Sequence, residues 1–242
     1  TKAVIFVSLF GSSAGISDVL KFCKKKDLLF LEDSAESFGT FIKNKHSGTI
    51  GQGGILSFYG NKTITTGEGG ALLLNCENIF NKAKILQNHG MDKNKRYWHI
   101  ENGYNFRMSN LQAAVGLGQI ENAQRIINKK KEIYEWYSEE INLFQDMKLQ
   151  EFGETMINST PWVFTALSNK SNEIQIALKY KAWDTRSFFF PLNETPAFKN
   201  FSYITENNVS NTLAYKGVIF PSSCHLSREN INEICNIIKS VF

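Results

Sequence analysis

At 242 residues, 42% apolar and 13% aromatic, the chain is long and apolar enough for a sizeable core, in one large domain or one and a half. Its 27 Lys and Arg against 23 Asp and Glu leave a formal charge of +4. The two lysine clusters, Lys24–Lys26 and Lys129–Lys131, sit in helical-looking stretches beside Asp27 and Glu132, which reads as solvated helix faces and gives no support for a nucleic-acid partner.

Four widely spaced cysteines without a CxxC fit ordinary thiols in a reducing compartment, and four histidines lack metal-ligand spacing. No apolar run approaches the length of a bilayer span, so no membrane partner is expected. The opening residues have the letters of a secretory h-region, but a buried strand turning at Gly11 explains them equally well; the expected location is cytoplasmic.

In chain order, residues 3–9 (AVIFVSL) read as a continuously apolar strand buried on both faces of a parallel sheet. A helix follows with Ile16, Val19, Leu20 and Cys23 on one face, then a second apolar strand at 28–32. Strand, helix, strand in that order is an α/β unit. A Gly-punctuated loop spans 39–54. Short strands are predicted at 55–58 and 71–74, and an amphipathic helix carries Ile79, Phe80, Ala83 and Leu86. A polar loop through 90–108 ends at Ser109, which with Gln112 spells a capping box. No proline interrupts the helix it opens, which is predicted to run to about residue 141. Beyond it come a strand (162–167), helix (173–181), strand (186–190), helix (208–215), strand (218–220) and a last helix from Ser227. The domain boundary is placed near residue 143.

Two local features carry chemistry. Glu32 and Asp33 end an apolar strand, where open α/β sheets place ligands; as plain structure they are a cap or loop acid. Lys62 stands in a hydroxyl- and glycine-rich loop after another strand. The glycines would otherwise merely give a tight turn into strand 71–74, and the lysine precedes them, unlike a Walker loop. An acid at a strand end and an isolated lysine together suit pyridoxal phosphate (PLP), which needs an amine for its Schiff base and a carboxylate to keep its ring nitrogen protonated.

The stretches EDSAESFGT (32–40), SFYGNKTITTGEGGALL (57–73) and YWHIENGYNFRMSNLQAAVGLGQIE (97–121) resemble the DegT/DnrJ/EryC1/StrS aminotransferases of nucleotide-linked keto-sugars, with TRSFFFPLNETPAF and KGVIFPSSCHLS pointing to the perosamine-type C4 branch. The resemblance implies a PLP-dependent transferase of fold type I (aspartate-aminotransferase-like), with residues 1–143 as part of the PLP-binding large domain and 144–242 as a small C-terminal α/β domain. It implies Lys62 as the Schiff-base lysine and proton shuttle, Asp33 at the pyridinium nitrogen, Glu36 beside the phenolic oxygen and Ser57 on the phosphate. Asn105 is expected to reach the cofactor phosphate of a neighbouring subunit, hence a homodimer, with Arg107 supporting that loop. Tyr97, Trp98 and His99 are candidates for the sugar pocket and Arg186 for the nucleotide diphosphate; structural roles serve those four residues as well.

The implied reaction moves an amino group from L-glutamate to a nucleotide-linked 4-keto-6-deoxy sugar, for surface polysaccharide or glycan. Dehydratase relatives carry histidine at the position of Lys62, so lysine favours amino transfer. Amination at C3 or on a cyclitol is the alternative within the family. A chain that only completes a partner's site, through Asn105, is the alternative outside catalysis. Family members carry a segment ahead of strand 3–9, with a Gly-Thr-type phosphate loop and an aromatic or His stacking on the cofactor ring; these are expected to lie outside the 242 residues.

Overall fold

A computed structural model describes residues 1–150, 152, 158–201 and 208–242. They form two compact units, Thr1–Ile127 with Phe152–Trp162, and Asn128–Glu151 with Val163–Phe242. The units change over within a helix at Ile127, upstream of the expected position near 143, and a short later segment returns to the first.

The first unit is built on the predicted strand–helix–strand. Strand β1 (Ala3–Val7), helix α1 (Ile16–Lys25) and strand β2 (Leu29–Asp33) are followed by a small hairpin, β3 (Phe41–Ile42) and β4 (Lys45–His46). Strands β5 (Gly53–Ser57) and β6 (Gly70–Leu74) complete a sheet of order β1-β2-β5-β6, with the first three parallel and β6 antiparallel. α1 lays Ile16 and Cys23 on Phe30 and Ile42, with Val19 and Leu20 packed beside them. Fully burying a side chain of the Ile or Phe class contributes about 1.5–3 kcal/mol, so this one face fastens the helix to the sheet.

Among the described residues β1 lies at the end of the sheet order and is not buried on both faces: Ile5 and Val7 are 65% and 49% exposed. It stops at Val7 because the chain turns into a 3-10 segment, Leu9–Gly11, with Phe10 left-handed at φ 55°. The loop at 39–54 contains the β3–β4 hairpin, closed by Lys43 and Asn44 at φ 48° and 63°, the two positive φ values of a type I′ turn.

Helix α2 (Glu77–Gln87) forms where its apolar spacing puts it, with Ile79 and Phe80 about half exposed. The capping box at Ser109 opens helix α3, as read, but the helix does not continue to 141. It breaks at Asn122, whose side-chain amide donates to the Gly118 carbonyl at 2.9 Å and whose own N–H turns back to Gln119, giving α3 (Asn110–Glu121) and α4 (Ala123–Ile141). Asparagine competes locally for backbone partners, so it ends a helix where no proline is present.

In the second unit, β7 (Met147–Leu149), β8 (Phe164–Ser168), β9 (Arg186–Ser187) and β10 (Gly217–Phe220) form an antiparallel sheet of order β7-β8-β10-β9. The strand predicted at 186–190 is reduced to two residues, and β7 was not anticipated. Helices α5 (Ser171–Tyr180), α6 (Val209–Lys216) and α7 (Arg228–Lys239) accompany it. Tyr137 from α4 stacks on Phe164 at 4.4 Å, and Ile174, Leu178, Ile231, Ile234 and Ile238 are also fully buried. No helix among the described residues is long and apolar enough to cross a membrane.

Candidate active site at the ends of the parallel strands

The three parallel strands point their carboxyl ends the same way and deliver Ser8, Asp33 and Ser57 to one edge of the sheet. That edge is where open α/β sheets bind ligands, because the chain must turn there and leaves side chains and backbone donors facing outward.

Asp33 is the last residue of β2. Its Oδ1 accepts the N–H of Ala35 at 3.1 Å, and its other oxygen has no hydrogen-bonding partner among the described residues. A turn follows, closed by Ser37 N–H on the Ser34 carbonyl at 3.2 Å, and it carries Glu36. One oxygen of Glu36 accepts the Phe10 N–H at 2.9 Å; the other lies 3.4 Å from Lys62 Nζ. The two side chains are 11% and 13% exposed, which keeps the pair largely out of water. Burial raises the Glu36 carboxyl above its ordinary value, opposed by the Phe10 N–H and the Lys62 charge and reinforced by nearby Asp33.

Lys62 rides on the loop after β5. Thr66 N–H bonds the Phe58 carbonyl at 2.9 Å and Lys62 N–H the Tyr59 carbonyl at 3.0 Å, closing the loop on itself. Gly67, at φ 80°, supplies the left-handed step that returns it to β6. The remaining wall comes from Trp162. Its indole N–H donates to the Asn61 carbonyl at 2.7 Å, its ring centre is 3.9 Å from Lys62 Nζ, and it stacks on Phe10 at 6.4 Å. Sequence reasoning gave neither Trp162 nor Phe10 a role: STPWVF carries no chemical motif, and Trp162 reaches the lysine only through the fold.

The remaining candidates are distributed as follows. Glu32, at the same strand end as Asp33, is 2% exposed and accepts three backbone N–H groups, of Gly48, Ile50 and Gly51, at 2.6–2.8 Å. It holds the loop before β5, which is structural work. Ser57 ends β5 and its hydroxyl accepts the Tyr59 N–H at 3.3 Å. Asn105 pairs with Asn88 in an isolated antiparallel bridge; among the described residues it makes no hydrogen bond or ion pair with Lys62, Glu36 or Asp33.

Tyr97, His99 and Arg107 line one open cleft of about 700 Å³ together with Asn88, His89 and Arg96. Trp98 is not among its lining residues and lies under Lys95 Nζ, 3.6 Å from its ring centre. Arg186 is an exposed residue of β9 in the second unit, 4.0 Å from Asp184, a surface pair of little energetic weight.

The sequence profile of the DegT/DnrJ/EryC1/StrS aminotransferase family matches residues 1–239. The chain is 34% identical over 247 aligned residues to GDP-perosamine synthase of Vibrio cholerae, covering all of this chain and 67% of that protein. It is 32% identical over 245 residues to GDP-perosamine synthase of Escherichia coli O157:H7, covering all of this chain and 66% of the other. The chain therefore spans about two thirds of the length of these relatives. Among solved structures, Helicobacter pylori PseC, an aminotransferase of pseudaminic acid biosynthesis, superposes with a TM-score of 0.93 at 24% identity, over 100% of this chain and 67% of that one. That likeness shows the fold, the fold type I architecture of this group.

Proposed function

Because this chain belongs to the DegT/DnrJ/EryC1/StrS aminotransferase family, we propose that its protein is a PLP-dependent aminotransferase converting a nucleotide-linked 4-keto-6-deoxy sugar to the 4-amino sugar, with L-glutamate as amino donor. The observation that carries this reading is the enclosed Lys62 amine, 3.4 Å from Glu36 and 3.9 Å from the Trp162 ring centre. The GDP-perosamine synthases among its relatives support a perosamine-type product. We assign that product to surface polysaccharide, the enzyme to the cytoplasm and its working form to a homodimer.

The residues present fit PLP. A primary amine stands on the loop after β5, a carboxylate with an unengaged oxygen at the end of β2, and a hydroxyl at the end of β5 itself. Bound there, PLP would supply an electron sink for the carbon that gains or loses a proton. Lys62 would hold the cofactor and then carry that proton on Nζ. Asp33 would hold the ring nitrogen, Ser57 the phosphate, and Glu36 the phenolic side. Raised above its ordinary value by burial, Glu36 accepts a proton more readily than an exposed carboxylate. The Trp162 ring covers one side of the amine and keeps water from it.

The rest of the assignment follows the family motif: Asn105, supported by Arg107, reaches the phosphate of the neighbouring subunit's site; Tyr97, Trp98 and His99 contact the sugar; Arg186 faces the diphosphate. The test is to add PLP to the full-length protein, reduce with borohydride and locate the adduct by peptide mass, with Lys62→Ala beside it. The active protein is then given a GDP-linked 4-keto-6-deoxy sugar and glutamate, and the new amine is placed by NMR. We expect the adduct on Lys62 and the amine at C4. An adduct elsewhere, or an amine at C3, overturns the respective assignment.

A further inference from the structure

Beneath the strand ends lies a cluster of hydroxyls that none of the proposed roles uses. Ser8, Ser13, Ser34, Ser37 and Ser47 are all fully buried. Ser47 is the hub: its Oγ lies 2.8 Å from Ser34 Oγ, 2.8 Å from Ser37 Oγ and 3.3 Å from Ser8 Oγ, and Ser8 reaches on to Ser13 at 2.9 Å. A hydroxyl has one proton and two lone pairs, so three partners saturate it.

The partners' positions give the cluster its meaning. Ser34 follows Asp33 directly and Ser37 follows Glu36 directly, so one side chain clips both ends of the turn that carries Glu36. Ser8 belongs to the adjoining strand end. It donates its N–H to the Asp33 carbonyl at 3.0 Å, and two residues later Phe10 supplies the N–H that Glu36 accepts. The Glu36 carboxylate and its backbone donor are therefore joined to the same buried hydroxyl. Ser47 is delivered there by His46, whose Nε2 accepts the Gly39 N–H at 2.9 Å and whose Nδ1 therefore donates to the Ser47 carbonyl.

We propose that Ser47 is a positioning residue: acting through Ser34, Ser37 and Ser8, it holds the Glu36 carboxylate in place against Lys62. This deepens the PLP reading of the site and rests on it. Losing the hydroxyl removes a neutral hydrogen-bond hub, and one such bond is worth enough to change cofactor affinity about 3- to 10-fold.

The test is a double-mutant cycle in the full-length protein with Ser47→Ala and Glu36→Gln, and with Ser37→Ala as a milder variant should Ser47→Ala not fold. Two readouts are taken: the PLP concentration that half-saturates borohydride trapping on Lys62, and the labelling rate of Lys62 by acetic anhydride without PLP. The proposal expects Ser47→Ala to weaken trapping about 3- to 10-fold and to speed labelling, with little further effect in the Glu36→Gln background.

Trapping and labelling that match the parent, or effects that simply add to those of Glu36→Gln, overturn the positioning role and leave the Lys62 assignment standing. A parent that traps no PLP on Lys62 overturns the cofactor reading instead. The labelling cycle still decides whether Ser47 acts on Lys62 through Glu36.

Discussion

Replacing Trp162 with phenylalanine keeps a ring against Phe10 and deletes only the indole N–H and part of the aromatic face. The Asn61 carbonyl then loses its 2.7 Å donor immediately before Lys62. Asn61 is exposed, so water can replace the lost donor, and the net cost of the bond is about 0.5–1.5 kcal/mol. The smaller ring also weakens the contact with Lys62 Nζ, worth about 0.5–1 kcal/mol at a partly exposed site. For a chain of this length 1 kcal/mol moves the melting temperature by about 2–4 °C, so Trp162→Phe is expected to melt roughly 2–10 °C lower. Thermal unfolding followed by far-UV circular dichroism reads that shift, and borohydride trapping reads the consequence at Lys62, which should fall with it. A variant melting within about 1 °C of the parent, with trapping unchanged, would refute the reasoning that the indole holds the lysine loop.

Two pH predictions follow from burial. The folded-state value of Glu36 is raised, so its contribution to stability is present below its unfolded value and is lost as pH rises through the folded one. Between about pH 4 and about pH 7 the parent should therefore lose stability relative to Glu36→Gln, measured by urea unfolding of both proteins; a relative gain would contradict it. His46 is lowered from its ordinary value, chiefly by burial, against the opposing Ser47 carbonyl and the charge of Glu32. The sign is then reversed: its contribution is present above the unfolded value and is lost as pH falls through the folded one. On going from about pH 7.5 to about pH 5 the parent's melting temperature should fall further than that of His46→Gln, and parallel curves would show that the ring does not clamp Gly39 to Ser47.

The sequence carried the strand–helix–strand, the capping box at Ser109, the acid at the end of β2 and the lone lysine of the 58–69 loop, because each is written in neighbouring residues. Periodicity, caps and motif spacing are local, and the family motifs around Asp33, Lys62 and Asn105 are contiguous strings. The β3–β4 hairpin escaped because its strands are too short to show alternation, although Lys43-Asn44 sits at its turn. The break at Asn122 escaped because an asparagine bends back only when its amide finds a carbonyl.

What tertiary structure alone decided is how the lysine is walled in and how the acids divide their work. Glu32 and Asp33 are adjacent in sequence, and strand alternation sends their side chains to opposite faces, one onto three backbone donors and the other to the strand end with an oxygen unengaged. Phe10 and Trp162, brought together from opposite parts of the first unit, enclose Glu36 and Lys62 by contacts that no spacing rule encodes. Local propensity selects the elements; long-range packing and the need to satisfy buried polar groups select which side chains meet.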